Sequence, residues 1–152
     1  MATLNTQPSQ QEVQVLIQRL NDGQLSEAEK LARDLISKSP NTFILHHILS
    51  LALDGQQKFS EAVESYQNAL KLQPNTPVLL FNCAITLTNL NRLDEAITTY
   101  QQAIKVKPNF FEAYGNLGTV LQKLGKLEEA IVSYKKGLSI NPQDARGYFN
   151  LG

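Results

Sequence analysis

The stretch that decides the fold is residues 111–142, FEAYGNLGTVLQKLGKLEEAIVSYKKGLSINP. It contains two amphipathic segments, 111–123 and 127–140, in which apolar residues recur three and four positions apart. Gly125 lies between the segments and Pro142 follows the second one, where a helix is expected to stop. The stretch therefore predicts two helices joined by a short turn.

The same pattern recurs along the chain. Prolines stand 34 residues apart, at positions 40, 74, 108 and 142. Alignment on them produces further columns, which are Ala28, Ala62, Ala96 and Ala130; Tyr66, Tyr100 and Tyr134; Leu53, Leu87 and Leu121; and the mostly small Leu16, Ser50, Ala84, Gly118 and Gly152. Small residues in one column indicate that the two helices of each pair approach closely. A period of this length is typical of stacked helical hairpins.

Six further segments have the helical pattern, which predicts helices at 10–21, 25–38, 43–54, 59–72, 77–89 and 93–106. One hairpin cannot bury its apolar face alone, so we expect consecutive hairpins to stack. Residues 145–152 repeat the opening of the preceding hairpin and then stop. We therefore expect the chain to be the amino-terminal fragment of a longer protein.

Seven residues carry a family resemblance: Tyr114, Leu117, Gly118, Leu121, Ala130, Tyr134 and Pro142. They resemble the tetratricopeptide repeat pattern at its own spacings, with Tyr and Leu in place of the common Trp and Tyr. The resemblance implies an all-α, right-handed solenoid of antiparallel helix hairpins. Its expected parts are a polar tail (1–9), an atypical capping hairpin (10–42), repeats at 43–76, 77–110 and 111–144, and a truncated first helix (145–152).

The capping hairpin departs from the family pattern, because Glu12, Arg19 and Ala32 occupy columns that usually hold larger apolar residues. In this family the first helix of each hairpin lines a concave groove, so the resemblance also implies groove residues. These are Ile44, His47, Ile48 and Leu51 in the first repeat; Val78, Phe81, Asn82, Ile85, Thr88 and Asn89 in the second; and Glu112, Asn116, Thr119, Gln122 and Lys123 in the third.

The amino-terminal half of this predicted groove is apolar, and Val13, Ile17 and Leu20 of the capping hairpin would extend it. An exposed apolar patch usually marks an interaction surface. The alternative for the capping hairpin is ordinary core packing, because Val13, Leu16, Ile17 and Leu20 share helical spacing. For Phe81 and Ile85 we expect exposure in the groove, covered by a peptide, the polar tail or a second copy of the chain.

Asn82, Asn116 and Asn150 stand in one groove column. They resemble the asparagine ladder of peptide O-linked N-acetylglucosamine transferases, in which side-chain amides hold the backbone of an extended peptide. An amide suits that role because it both donates and accepts hydrogen bonds. Local hydrogen bonding is the favoured alternative, and Gln14 and Ile48 interrupt the column in the first two hairpins.

Composition argues against several classes of partner. Fourteen basic and fourteen acidic residues give a net charge of zero, so we expect neither nucleic acid nor a membrane as partner. The groove positions also lack the basic clamp with which co-chaperones of this family hold a carboxylate tail. The polar start and the lack of a membrane-spanning stretch predict a cytoplasmic protein.

No residue pattern indicates catalysis, a cofactor or a metal. His46 and His47 are adjacent and point apart on a helix, so we expect packing for the first and groove surface for the second. Cys83 falls in a buried column and is expected to be inert. Three functions remain: a protein or peptide interaction module, the substrate-docking arm of an enzyme whose catalytic domain lies beyond residue 152, and a scaffold that self-assembles through the groove or the carboxy-terminal end.

Overall fold

The computed structural model describes residues 6–144 together with Gly147 and Asn150. Those residues contain eight α-helices and no strand. The helices are α1 (Gln10–Asn21), α2 (Leu25–Lys38), α3 (Phe43–Gly55), α4 (Phe59–Leu72), α5 (Pro77–Asn89), α6 (Leu93–Val106), α7 (Phe111–Lys123) and α8 (Leu127–Ile140). The chain divides into two compact units, Met1–Pro74 and Asn75–Gly152, each with four helices.

The helix predictions are confirmed, with one difference of a single residue at the end of α3. Such agreement is possible because the start and stop signals recur in each repeat. The predicted truncated helix at 145–152 lies largely outside the described residues, of which Gly147 and Asn150 are helical. No described helix has the length and apolar character needed to cross a bilayer.

In the first unit, α1 contacts α2 and α3, α2 contacts α3, and α3 pairs with α4. Its core contains the predicted alanine, leucine and tyrosine columns, since Ala28, Ala62, Leu53 and Tyr66 are all buried. Glu12, which departs from the family pattern, belongs to a capping box. The Ser9 backbone N–H donates to the Glu12 carboxylate at 2.8 Å, and the Glu12 backbone N–H donates to the Ser9 hydroxyl at 3.2 Å.

The second unit repeats this arrangement, with contacts of α5 to α6 and α7, of α6 to α7, and of α7 to α8. Tyr100 and Tyr134 are buried between the helices of their hairpins. The small residue predicted at each helix crossing is present for a steric reason: a Cβ on Gly118 would lie 2.6 Å from Cε1 of Tyr134. The column of small residues therefore makes room for the column of tyrosines.

All four hairpin turns share one backbone device. The middle residue of each three-residue turn has a positive φ, at Gly23 (74°), Gln57 (60°), Asn91 (57°) and Gly125 (75°). The backbone N–H of the next residue then donates to the carbonyl five positions earlier, as Lys58 does to Leu53 at 2.9 Å. Glycine adopts this conformation without strain, whereas glutamine does not.

Candidate functional site

The predicted groove residues of the second unit gather on the surface shared by α5 and α7, which we call the α5–α7 face. A hollow of about 190 Å³ lies between the two helices. Its lining includes five of the predicted groove residues, which are Ile85, Thr88, Asn89, Asn116 and Thr119. Tyr100 and Val120 complete the lining. The surface offers one apolar region, beside Ile85 and Val120, within a polar border.

A smaller hollow of about 50 Å³ continues the same face. Its lining is Glu112, Gly115, Asn116, Thr119, Asp144, Gly147 and Asn150. Asn116 and Thr119 line both hollows, so the two form one continuous surface. Asn116 and Asn150, two members of the predicted asparagine column, therefore lie beside each other along it.

Buried tyrosines support this surface from below. Tyr100 is buried beside Thr88 and Asn116, which line the same hollow; burial raises the pKa of its phenol, and these two polar side chains only partly offset that rise. The hydroxyl of Tyr134 lies 3.1 Å from both Thr119 Oγ1 and Gln122 Oε1 and donates to them. Thr119 is thus fixed to the core of its hairpin.

The predicted exposure of Phe81 is wrong. Its ring is half-buried, with its centroid 4.8 Å from that of Phe110 and 6.0 Å from that of Tyr100. Phe110 is itself only 6% exposed and lies beneath the ammonium of Lys107, which is 4.4 Å from the ring centroid. The chain therefore covers Phe81 with its own aromatic residue, and no ligand is required for that purpose.

Phe110 did not figure in the sequence-based site. It occupies the N-cap position of α7, where the two preceding repeats have Thr42 and Thr76. The replacement of a capping residue by phenylalanine was a visible signal, because an aromatic residue at that position gives the helix no side-chain oxygen and needs another reason to be there.

The remaining predicted residues of the second unit lie on α5 and α7 but line neither hollow. Val78 is 52% exposed, Lys123 is exposed and Asn82 is half-buried. These three residues remain predictions for the outer parts of a binding surface.

In the first unit the predicted site is only partly open. Ile48 is 3% exposed and belongs to the core, so its assignment to the groove is wrong. The reason is that α3 packs against α1, α2 and α4, which leaves little of its surface free. Ile44, His47 and Leu51 are half-buried. Burial lowers the pKa of His47, whose ring lies 5.7 Å from that of Phe43.

For the apolar stripe of α1, the structure supports core packing for some residues and surface exposure for others. Leu16 is fully buried in the core, whereas Ile17 is 38% exposed. Val13 and Leu20 are half-buried. His46 packs in the interior as predicted, with its Nε2 2.7 Å from the Pro40 carbonyl oxygen.

Chemical groups for catalysis or metal binding do not cluster in the part of the chain that the structure describes. No three His, Cys, Asp or Glu side chains there could hold a metal ion together. Cys83 is buried in the core of the second unit. What the α5–α7 face offers is hydrogen bonding and one apolar region, which suit recognition of another molecule.

Comparison with known protein families agrees with the architecture. Three tetratricopeptide repeat models match, at residues 45–76, 86–125 and 111–144. No curated protein matches the sequence.

Several solved structures have a similar fold. MamA residues 41-end from Desulfovibrio magneticus RS-1 superimposes with a TM-score of 0.89 at 18% identity, over 96% of this chain and 84% of that one. YrrB, described as a TPR protein with an unusual peptide-binding site, gives 0.85 at 16% identity, over 95% and 75%. The first TPR of Spaghetti (RPAP3), bound to the HSP90 peptide SRMEEVD, gives 0.69 at 25% identity, over 72% and 86%. With its period of 34 residues, its buried tyrosine column and these matches, the chain belongs to the tetratricopeptide repeat family.

Proposed function

We propose that the chain is a protein–protein interaction module whose α5–α7 face binds an extended peptide segment of a partner protein. The observation that carries this proposal is the continuous surface on which Asn116 and Thr119 join two hollows. An extended peptide presents alternating N–H and C=O groups, and amide side chains match both kinds of group. YrrB and the Spaghetti TPR, both described with peptides, support a peptide as the ligand class.

The support from the tyrosine core makes this surface suitable for binding. Thr119 accepts a hydrogen bond from Tyr134, so it loses little side-chain entropy when a ligand arrives. The amide of Asn116 lines both hollows and has two donor hydrogens and two acceptor lone pairs with which to pair with a peptide group.

The charge of the face limits the ligand. Among the described residues, the two hollows are lined by the carboxylates of Glu112 and Asp144 and by no Lys or Arg. An acidic carboxy-terminal tail would meet like charge there, with no cationic donor among these residues to bind it. We therefore propose a neutral or basic segment, with one apolar side chain directed to the region beside Ile85 and Val120.

The test is a selection followed by a binding measurement. Peptides selected on the chain from a random phage-displayed library are synthesised with a fluorescein label, and their affinity is measured by fluorescence anisotropy. Asn89→Lys places a longer, positively charged side chain in the larger hollow, where it opposes a basic segment and occupies space that a neutral segment needs, and should weaken binding at least tenfold. Gln102→Lys is the matched control, because Gln102 is exposed on α6 and lines neither hollow.

The same peptides should also be titrated against Asn116→Ala, which removes the shared amide. Equal affinity of the wild type, Asn89→Lys and Asn116→Ala would refute binding on the α5–α7 face. A preference for strongly acidic peptides would contradict the ligand chemistry proposed here.

A further inference from the structure

Each unit has a second kind of cleft, formed by the second helices of its two hairpins. In the first unit the α2–α4 cleft lies above α3 and has a volume of about 350 Å³. In the second unit the α6–α8 cleft lies above α7 and has a volume of about 540 Å³. The residues that line the α6–α8 cleft include none that line the hollows of the α5–α7 face. The two surfaces of the second unit are therefore separate.

The two clefts are equivalent positions in the repeat, so their side chains can be compared directly. Corresponding residues are two repeats apart in sequence, as are Leu49 and Leu117. The pairs that differ are Arg33 and Gln101, His46 and Tyr114, Glu64 and Val132, and Asn68 and Lys136. The pairs that are kept are Leu49 and Leu117, Leu53 and Leu121, Glu61 and Glu129, and Ser65 and Ser133.

The α2–α4 cleft is bridged by a charge pair of its own. Arg33 on α2 reaches across to α4, where its Nη2 lies 2.6 Å from Glu61 Oε2. The same guanidinium is held on α2 by Glu29, with Nε 3.0 Å from Oε1. The carboxylate of Glu61 therefore has its cation within the chain.

The α6–α8 cleft keeps the carboxylate but not the cation. Glu129 corresponds to Glu61, and the neutral Gln101 stands where Arg33 would be. Among the described residues, none of the ion pairs includes Glu129 or its neighbour Glu128. Lys136 lines the same cleft but is in none of these ion pairs, so the lining has two carboxylates against one ammonium and a net negative charge.

The same cleft is also more apolar. Val132, in the place of Glu64, is 68% exposed. Tyr114 replaces the histidine on the floor, beside the leucines at 117 and 121. The exposed part of Val132 and the recess beside it together offer an apolar region that can take an aliphatic side chain of a partner.

We propose that the α6–α8 cleft binds a segment of a partner protein in which an arginine or lysine stands next to an aliphatic residue. The aliphatic side chain packs on Tyr114, Leu117 and Val132. The cation pairs with Glu129, in the place that Arg33 holds in the first unit. This site is distinct from the α5–α7 face and does not depend on the function proposed for it.

The probe is the peptide acetyl-Ala-Leu-Arg-Leu-Ala-amide, titrated into ¹⁵N-labelled protein and followed by amide chemical shifts. Shifts should concentrate at Leu117, Glu129 and Val132 and saturate. The matched peptide with Glu in place of Arg should bind at least tenfold more weakly. Equal binding of the two peptides, or shifts confined to the α5–α7 face, would overturn the proposal.

The decisive variant is Gln101→Arg. It gives the α6–α8 cleft an arginine at the position of Arg33, which pairs with Glu61 in the first unit. It adds an exposed residue that can pair with Glu129, so the fold is preserved and peptide affinity should fall at least tenfold. Gln102→Arg is the matched control, with the same charge change on the same helix outside the cleft. An equal loss of peptide affinity in both variants would show that general charge repulsion causes the loss, and would refute the site.

Sedimentation equilibrium of the peptide-free protein distinguishes the other occupant. A monomer at the concentrations used in the titration agrees with a foreign segment. A dimer that Gln101→Arg dissociates, and Gln102→Arg does not, would identify a second copy of the chain as the occupant and overturn the proposal of a foreign partner.

Discussion

Gly118 of α7 and Tyr134 of α8 approach so closely that a Cβ on Gly118 would meet three ring atoms of Tyr134 within 3 Å. The contact fixes the distance between the two helices of the hairpin. The hydroxyl of the same tyrosine contacts Thr119 and Gln122, so the ring cannot move without disturbing residues at or near the α5–α7 face. Interior packing and the candidate site are therefore joined at one side chain.

We expect Gly118→Ala to destabilise the protein by about 1–3 kcal/mol, because an added methyl group must displace a buried ring. The better helix propensity of alanine offsets up to about 1 kcal/mol of that cost. Urea denaturation followed by circular dichroism measures the difference. Gly115→Ala is the control on the same helix: its Cβ would meet only Asp144 Oδ2, at 4.0 Å, so stability should stay equal or rise.

The turn conformations predict a stabilising change. Gln57 has a φ of 60°, which is unfavourable for a residue with a Cβ. Gln57→Gly should raise the free energy of unfolding by up to about 1 kcal/mol. Asn91→Gly should gain less, because asparagine tolerates this conformation better. Equal gains from both variants would show that glutamine is not strained at position 57.

The reverse change tests the same backbone device without any steric contact. A Cβ on Gly125 would have no atom within 4 Å, so Gly125→Ala can act only through the positive φ of 75°. We expect a loss of about 1 kcal/mol in thermal or urea unfolding. Unchanged stability would mean that the turn adjusts its backbone at no cost.

The first unit should lose stability in acid through Glu29. Its side chain is 13% exposed; burial raises its pKa, but hydrogen bonds from Lys58, Gln56 and Arg33 together outweigh burial and lower the pKa to about 2. Because this folded pKa is below the usual value of 4.5, the unfolded chain binds the proton first. The stabilisation is complete above pH 4.5 and is lost as the pH falls towards 2.

Glu29→Gln should therefore cost about 2 kcal/mol at pH 7, and the difference from the wild type should shrink between pH 4.5 and pH 2. Urea unfolding at several pH values measures it. Glu64→Gln is the control, since Glu64 is an exposed carboxylate on the same unit that is absent from the ion pairs of the described residues. A difference between Glu29→Gln and wild type that does not vary with pH would contradict this assignment.

The aromatic pair of the second unit predicts a packing effect at a loop position. Phe110→Thr restores the residue found at the two preceding N-caps and removes the ring that covers Phe81. We expect a loss of about 3 kcal/mol from the lost packing. The hydroxyl should return little of it, because neither Thr42 nor Thr76 makes a side-chain capping hydrogen bond at the equivalent position. Phe110→Leu keeps most of the apolar contact and should cost less than about 1.5 kcal/mol. A stable Phe110→Thr protein would show that Phe81 does not depend on this ring.

The helices and their order were predictable because the same pattern of two helices and a turn recurs every 34 residues. A pattern that arose by chance would not recur at this spacing. The open part of the site was predictable where a residue of α7 lies on the side of that helix next to α5, as Asn116 and Thr119 do. The burial of Ile48 was not predictable. The family pattern gives its position on α3 but does not tell how closely the capping hairpin packs against that helix. The capping box could have been predicted from the three-residue spacing of Ser9 and Glu12. Comparison with the repeat pattern identifies Glu12 only as a residue that departs from that pattern.

The tyrosine column gives the protein a built-in optical reporter. The chain contains no tryptophan and five tyrosines, so its near-ultraviolet absorption and emission come from phenol rings. Two of those rings lie at the candidate peptide surface: Tyr100 lines its larger hollow, and Tyr134 donates a hydrogen bond to Thr119, which lines the same hollow. Phenol emission depends on the hydrogen bond of the hydroxyl, so occupancy of the surface should be readable in the intrinsic spectrum of unlabelled protein, provided that the ligand lacks aromatic residues.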